Sequence, residues 1–264
     1  IAQDVGLPRF AGKQLAEWIY IRRATTFDEM TNISLKGREA LKERYTVGRH
    51  APIAEAISKD GTKKYLFRIS NSERSERSNS ISSLTSKSEE VYIESVYLPE
   101  EDRATLCVST QAGCKMGCKF CMTGTLGFHG HLTAADILNQ IFSIPDSNKL
   151  TNIVYMGEGE PMDNLEHVLR SLQAMTASWG CAWSPKRITV SSVGVLPNLK
   201  RFLEESECHL AISLHNPFSI ERQAIMPIEK AHHLNNVISL IKQYDWTHQR
   251  RVSFEYICWG GVND

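Results

Sequence analysis

The chain has 264 residues and 42% apolar content, enough for one large domain or a medium domain with a small appendage. Its 30 basic and 30 acidic side chains balance to zero net charge, which weighs against nucleic acid as the main partner but leaves room for a local basic face. No run reaches the 18 or more apolar residues of a spanning helix and no signal-peptide pattern is present, so a soluble cytoplasmic protein with no membrane partner is expected.

Residues 1–50 read as a small helical accessory domain. "RFAGKQLAEWIYIRR" sets Phe10, Leu15, Trp18, Ile19 and Ile21 near helical spacing, and "SLKGREALKERY" opens on Ser34, a plausible N-cap. Eight basic residues lie between Arg9 and Arg44, a pattern that suits a solvated helix face as well as an RNA-facing one. Residues 51–100 read as a short β linker or hairpin, with strands at "KKYLFRI" (63–69) and "EVYIESVYL" (90–98). Between them, nine of the nineteen residues of 70–88 are serine, which reads as a flexible insertion.

From 101 to 264 apolar strands alternate with amphipathic helices. The strands are "TLCVS" (105–109), "NIVYM" (152–156), "RITVS" (187–191), "HLAISL" (209–214) and "VSFEYI" (252–257). The helices lie near 133–144, 165–177, 197–206 and 234–244, the first opened by a Thr133/Asp136 capping box. This alternation predicts βαβ units and a parallel sheet, closed or open, with chemistry at the C-terminal strand ends. The distinctive motifs fall there: the cysteine loop after the first strand, "GEGEP" (157–161) after the second, "SVG" (192–194) after the third and "HNP" (215–217) after the fourth. The chain starts at Ile1 and stops at "GGVND" directly after an apolar run, which reads as a fragment boundary that leaves out the last strand.

Four of the seven cysteines fall in "CVSTQAGCKMGCKFC". An odd number in a chain with no secretory signal argues against a disulfide framework. Cys114, Cys118 and Cys121 have C-x3-C-x2-C spacing, and three thiolates on one tight loop converge on a metal or a cluster. A structural zinc site needs a fourth protein ligand; the nearby His129 and His131 have only H-x-H spacing. An iron–sulfur cluster on three cysteines leaves one iron open to a small molecule. Cys181, Cys208 and Cys258 read as core packing.

The cysteine motif, with Phe120 before its last cysteine, resembles that of the radical SAM superfamily. "VYLPEEDRATLCVSTQAGCKMGCKFCMTGTLGF", "YMGEGEP", "ISLHNP", "MPI", "GVND" and "FDEMTNI" together resemble the RlmN/Cfr family of RNA adenine methyltransferases over nearly the whole chain. The resemblance implies a partial (β/α) barrel of the radical SAM type. It implies a [4Fe–4S] cluster on Cys114, Cys118 and Cys121, with S-adenosyl-L-methionine (SAM) on the fourth iron. Gly159, Glu160, Ser191, Ser213, Leu214 and His215 match the family's SAM contacts. Bare residue chemistry allows the "GEGEP" segment to be an ordinary turn with Pro161 and Asp163 opening a helix, and both readings can hold.

In the family, one SAM methylates a cysteine near the C-terminus and a second supplies a radical that activates that methyl group for addition to adenine. The adduct is then released as a disulfide forms. Cys107 matches the resolving cysteine of that step, and Glu94 matches the proton acceptor at adenine C2. The methyl-carrying cysteine and a later SAM-contacting asparagine have no counterpart in these 264 residues, so the chain is expected to hold a cluster without completing methyl transfer. Turnover of RNA methylation by this chain alone would contradict that expectation.

Implied partners are 23S rRNA and tRNA, and an electron donor such as flavodoxin; a monomer is expected. "PEEDRATLC" favours the C2 branch of the family over the C8 branch. A reading of a different class remains, a non-catalytic zinc-stabilised RNA-binding module.

Overall fold

The computed structural model describes residues 1–69, 90–247, 250–261 and 263. The serine-rich stretch 70–88 and parts of the terminal "GVND" lie outside them. The first unit contains α1 (Ala11–Ala16), a π-helical turn at Glu17–Ile21 and α2 (Leu35–Arg44). Ser34 caps α2 by accepting from the Gly37 N–H at 3.2 Å. Leu15, Phe27, Met30, Ile33 and Leu41 form this unit's own small core. Its basic residues are largely engaged: Arg22 pairs with Glu17 and Lys42 with Asp28. Arg23 donates to Asn148 Oδ1 of the following unit at 2.8 Å, and the Arg49 guanidinium lies 4.4 Å from the Phe142 ring centre.

Next come β1 (Ala54–Ile57), β2 (Lys63–Ile69), β3 (Val91–Pro99) and β4 (Ala104–Cys107). A glycine-rich pair, β5 (Gln111–Gly113) and β6 (Phe128–His131), flanks the cysteine loop, with the single turn α3 (Met122–Thr125) between them. The repeating part follows: α4 (Ala134–Phe142), β7 (Asn152–Tyr155), α5 (Leu165–Thr176), β8 (Ile188–Ser192), α6 (Leu196–Glu205), β9 (His209–Ser213), α7 (Ser219–Ile225), α8 (Leu234–Ile241) and β10 (Val252–Glu255). Thr133 and Asp136 form the expected capping box on α4.

One eight-stranded sheet runs in the order β1-β2-β3-β4-β7-β8-β9-β10. Strands β1 to β4 pair antiparallel, and β4, β7, β8, β9 and β10 pair parallel. The parallel strands are the βαβ sheet that the alternation of elements predicted, and the whole is the α/β partial barrel that the family resemblance implied.

The two faces of the parallel strands differ. Leu106, Ile153, Tyr155, Ile188, Val190, Leu210 and Ile212 are at most 1% exposed and meet the helices. On α5, Leu165, Val168, Leu172 and Met175 recur at helical spacing and are buried against this face, each contributing about 1.5–3 kcal/mol. The opposite face carries Cys107, Val154, Thr189, Ser191, Ala211, Ser213 and Glu255, aligned by register. Parallel strands are usually apolar on both faces, so this polar row marks where the sheet holds something other than a core. Among the described residues no helix is long and apolar enough to cross a membrane.

Candidate functional site

A cavity of about 170 Å³ sits at the C-terminal ends of β7, β8 and β9. Cys114, Cys118 and Cys121 form one wall, and Gly159, Glu160, Ser191, Ser213 and His215 are among the residues that line the rest. Leu214, between two lining residues, does not itself line the cavity: its N–H donates to Glu255 O at 3.0 Å and its carbonyl accepts from Arg222 Nε at 3.1 Å. The structure thus brings together residues that lie up to about a hundred positions apart in sequence.

Close backbone approach shapes the cysteine loop. Gly113 has φ +69°, and a Cβ there would stand 1.9 Å from the Gly127 carbonyl oxygen, so the β5–β6 crossing admits only glycine. The Cys114 N–H donates to that same carbonyl at 2.9 Å. Cys118 is 9% exposed in a small apolar cluster with Val193 and Met226. Burial pushes its thiol up to about 12 and raises that of Cys114.

Glu160 serves two roles. It caps the turn opened by Pro161, accepting from the Met162 N–H at 3.0 Å, and it ties that turn to β8, accepting from Ser192 Oγ at 2.7 Å and the Val193 N–H at 2.9 Å. Only 3% exposed, its carboxyl is pushed by burial up to about 7. A raised carboxyl favours the folded state below the unfolded value of about 4.5, and that contribution is lost as pH rises towards 7. Glu160→Gln stays neutral throughout. Relative to the parent, its cluster-free form should therefore gain about 2–4 kcal/mol between pH 4.5 and pH 7.5 in urea unfolding. A stability difference that does not change with pH would contradict the assignment.

His215 adopts the left-handed conformation, φ 53°, which is uncommon for a non-glycine residue. Its ring meets Phe120 edge-on at 4.8 Å, and the Ile257 N–H donates to its Nδ1 at 3.3 Å.

Glu255 escapes sequence reading. Its Oε2 accepts from Ser191 Oγ at 2.8 Å and from Ser213 Oγ at 2.9 Å, so one carboxylate organises both predicted serines and lines the same cavity. Gln111 is a second such residue: it accepts from the Glu160 N–H at 2.9 Å and donates to Asp163 at 2.7 Å.

Cys107 and Glu94 share the open face of the sheet with this cavity, since Val96 pairs with Cys107 and Glu94 lies two residues before Val96. Burial pushes the Cys107 thiol up to about 11, and the Glu255 charge adds to it. The Glu94 side chain is half-exposed, 45%. It lines a second cavity of about 700 Å³ with Glu158, Tyr92 and His129, and pairs with Lys64 at 2.9 Å. Cys208 is buried as expected, whereas Cys258 is exposed because it follows the end of β10, where the chain leaves the sheet.

Residues 108–264 match the model of the radical SAM superfamily, and residues 2–47 match that of the ribosomal RNA large subunit methyltransferase N-terminal domain. The fold and the cysteine-lined cavity therefore define a radical SAM protein. A "Probable dual-specificity RNA methyltransferase RlmN" of Bacteroides fragilis is 53% identical over all of this chain and 72% of its own length. The "Dual-specificity RNA methyltransferase RlmN" of Geobacter sulfurreducens is 38% identical over 98% of this chain and 67% of its own length. The crystal structure of a radical SAM methyltransferase from Sphaerobacter thermophilus superposes with a TM-score of 0.85 at 32% identity, covering all of this chain and 74% of that one. Within the superfamily, the chain belongs to the RlmN family.

The family uses a [4Fe–4S] cluster and SAM, and the donor set suits the cluster. Its three protein donors are soft thiols. Among the described residues no three His, Cys, Asp or Glu side chains close on a single-ion point. The thiols instead line a cavity larger than an ion, as a cluster requires. Ser191, Ser213 and Glu255 give the cavity a polar wall. Hydrogen bonds to a charged group are worth about 1.5–3 kcal/mol, so Glu255→Ala, which frees both serines, should weaken SAM binding to the anaerobic protein by about tenfold or more. An unchanged Kd would exclude Glu255 from this role.

Proposed function

We propose that the protein to which this chain belongs catalyses the methylation of adenine at C2 in RNA, acting on 23S rRNA and on tRNA, and that these 264 residues, which span 72% of the length of the Bacteroides fragilis relative, supply its cluster and SAM site. The observation that carries the reading is the joint placement of the cysteine-lined cavity and the pair Cys107 and Glu94 on one open face of the sheet. When bound through Cys114, Cys118 and Cys121, the cluster with SAM supplies one-electron cleavage of SAM to a carbon radical. Gly159, Glu160, Ser191, Ser213 and His215 shape the SAM side of the cavity, and Leu214 holds the strand end between the last two. Glu94, facing the larger cavity, accepts the proton lost from adenine C2. Cys107, partly buried and outside the cluster spacing, is kept free to form a disulfide with the methyl-carrying cysteine as the carbon–sulfur bond to the product breaks.

The larger cavity suits an extruded base, because an adenine must leave its stack to reach a buried reactive centre. "PEEDRATLC" ahead of the cysteine loop supports C2 over C8. The test is nucleoside mass spectrometry of 23S rRNA and tRNA from cells with and without the gene. Loss of 2-methyladenosine from both RNAs on deletion is the expected result. Loss of 8-methyladenosine instead, or no change in either nucleoside, would overturn the proposal.

A further inference from the structure

The register of β3 and β4 leaves a gap beside Glu94. Val96 pairs with Cys107, so continuing the ladder would set Glu94 opposite Ser109. The Ser109 backbone turns away. Its N–H donates to Gln140 Oε1 at 2.8 Å, and its carbonyl accepts from Gln140 Nε2 at 2.9 Å. Glu94 thereby loses its strand partner on that side, and a buried backbone N–H must find another acceptor.

Glu158 fills the gap. Its Oε1 accepts from the Glu94 N–H at 3.0 Å and its Oε2 from the Gly113 N–H at 3.0 Å. Its own N–H donates to Ser109 Oγ at 2.9 Å, and that hydroxyl donates to the Glu94 carbonyl at 2.6 Å. Its carbonyl accepts from the Thr110 and Gln111 N–H groups at 2.9 and 3.2 Å. Both backbone groups of Glu94 are therefore held, directly or through Ser109, by one residue. The same carboxylate grips Gly113, immediately before the first cluster cysteine, and faces the 700 Å³ cavity beside Glu94.

We infer that Glu158 is a positioning residue that fixes the proton acceptor Glu94 relative to the cluster loop, by replacing a missing stretch of strand with a two-armed carboxylate. The inference rests on the reading of Glu94 as proton acceptor. It assigns a function to the third residue of "MGEGEP", which neither the cluster spacing nor the SAM contacts use. No neutral side chain of similar length offers two acceptors to two N–H groups pointing from different strands. Methionine keeps the length and loses both acceptors; glutamine keeps one and turns a donor towards the other N–H.

The test compares parent, Glu158→Met and Glu158→Gln proteins, produced at native length and reconstituted anaerobically. It reads amide hydrogen exchange at the segments holding Glu94 and Gly113, bound iron, and the 5′-deoxyadenosine released per methyl group delivered to RNA. In Glu158→Met, exchange should speed up by tenfold or more at both segments while iron stays above half the parent content. Deoxyadenosine per methyl should rise tenfold or more, because SAM cleavage continues while proton removal falters. Glu158→Gln should show the same changes to a smaller degree and serves in its place if the methionine variant does not fold.

Faster exchange at one segment only, or at neither, would overturn the coupling. Iron falling below half would reduce Glu158 to a support of the cluster loop and also overturn it. An unchanged product ratio would show that the link does not serve catalysis. If the parent cleaves SAM but methylates no RNA, the methyltransferase reading fails, and the paired exchange result still decides whether Glu158 couples the two segments.

Discussion

Cys118→Ala should fold as the parent does and lose SAM cleavage by a factor of a thousand or more. The side chain sits with Val193 and Met226 in a small cluster distinct from the main core, against which Met116, Phe120 and Ile225 also pack, so a change from Cys to Ala removes one sulfur from an otherwise intact surround. The expected stability cost in the cluster-free state is about 1 kcal/mol, a shift in Tm of roughly 2–4 °C. The chemical loss is total by comparison, because two thiols do not hold the cluster that SAM needs. Melting of the cluster-free proteins and 5′-deoxyadenosine formation under reducing conditions separate the two effects. Cleavage of SAM at more than a hundredth of the parent rate would show that Cys118 is not a ligand.

Arg222→Ala should be the costliest single substitution for the fold. Arg222 and Glu229 are both 0% exposed and form a salt bridge. The same guanidinium donates to the carbonyls of Val193, Ser213 and Leu214 at 3.0, 2.9 and 3.1 Å, and so holds the ends of β8 and β9 where they border the cavity. Removing it leaves the buried Glu229 carboxylate without its counter-charge and takes one donor from each of the three carbonyls. Breaking a buried pair in this way costs about 3–5 kcal/mol. For a chain of this size the melting temperature should fall by roughly 10 °C. The double change Arg222→Met with Glu229→Leu should recover part of that loss, since it leaves no unpaired charge. A shift of less than about 3 °C in the single variant would contradict this account.

The repeating half of the fold is legible in the sequence because its strands are apolar runs between amphipathic helices. Strand β2 falls on the residues read as "KKYLFRI", and β7, β8, β9 and β10 differ from their expected bounds by one or two residues. The β5–β6 pair is not legible. "QAG" and "FHGH" have no alternation, and their pairing depends on Gly113 meeting Gly127, a contact no local pattern announces. Helix α7 is only seven residues long, too short for periodicity to show.

The cavity residues were legible through motif and strand-end position, as far as each motif named them. The residues that organise the site were not. Glu255, Glu158, Gln140 and Arg222 act through partners placed by tertiary packing, and no spacing rule joins Glu255 to Ser191, 64 residues away. A partial signal existed for Glu255: a carboxylate inside an apolar run of a parallel strand, which such strands seldom carry without a partner. Cys258 went the other way, because a cysteine just past a strand end reads as core until the chain is seen to leave the sheet.

The account rests most directly on what Cys114, Cys118 and Cys121 hold. Iron, sulfide and zinc should be counted in the anaerobically reconstituted chain, together with its visible absorption. About four irons and four sulfides per chain, with brown colour, is the predicted result for the radical SAM cluster. One tightly bound zinc, no sulfide and a colourless protein would contradict it and leave the zinc-stabilised RNA-binding module in its place.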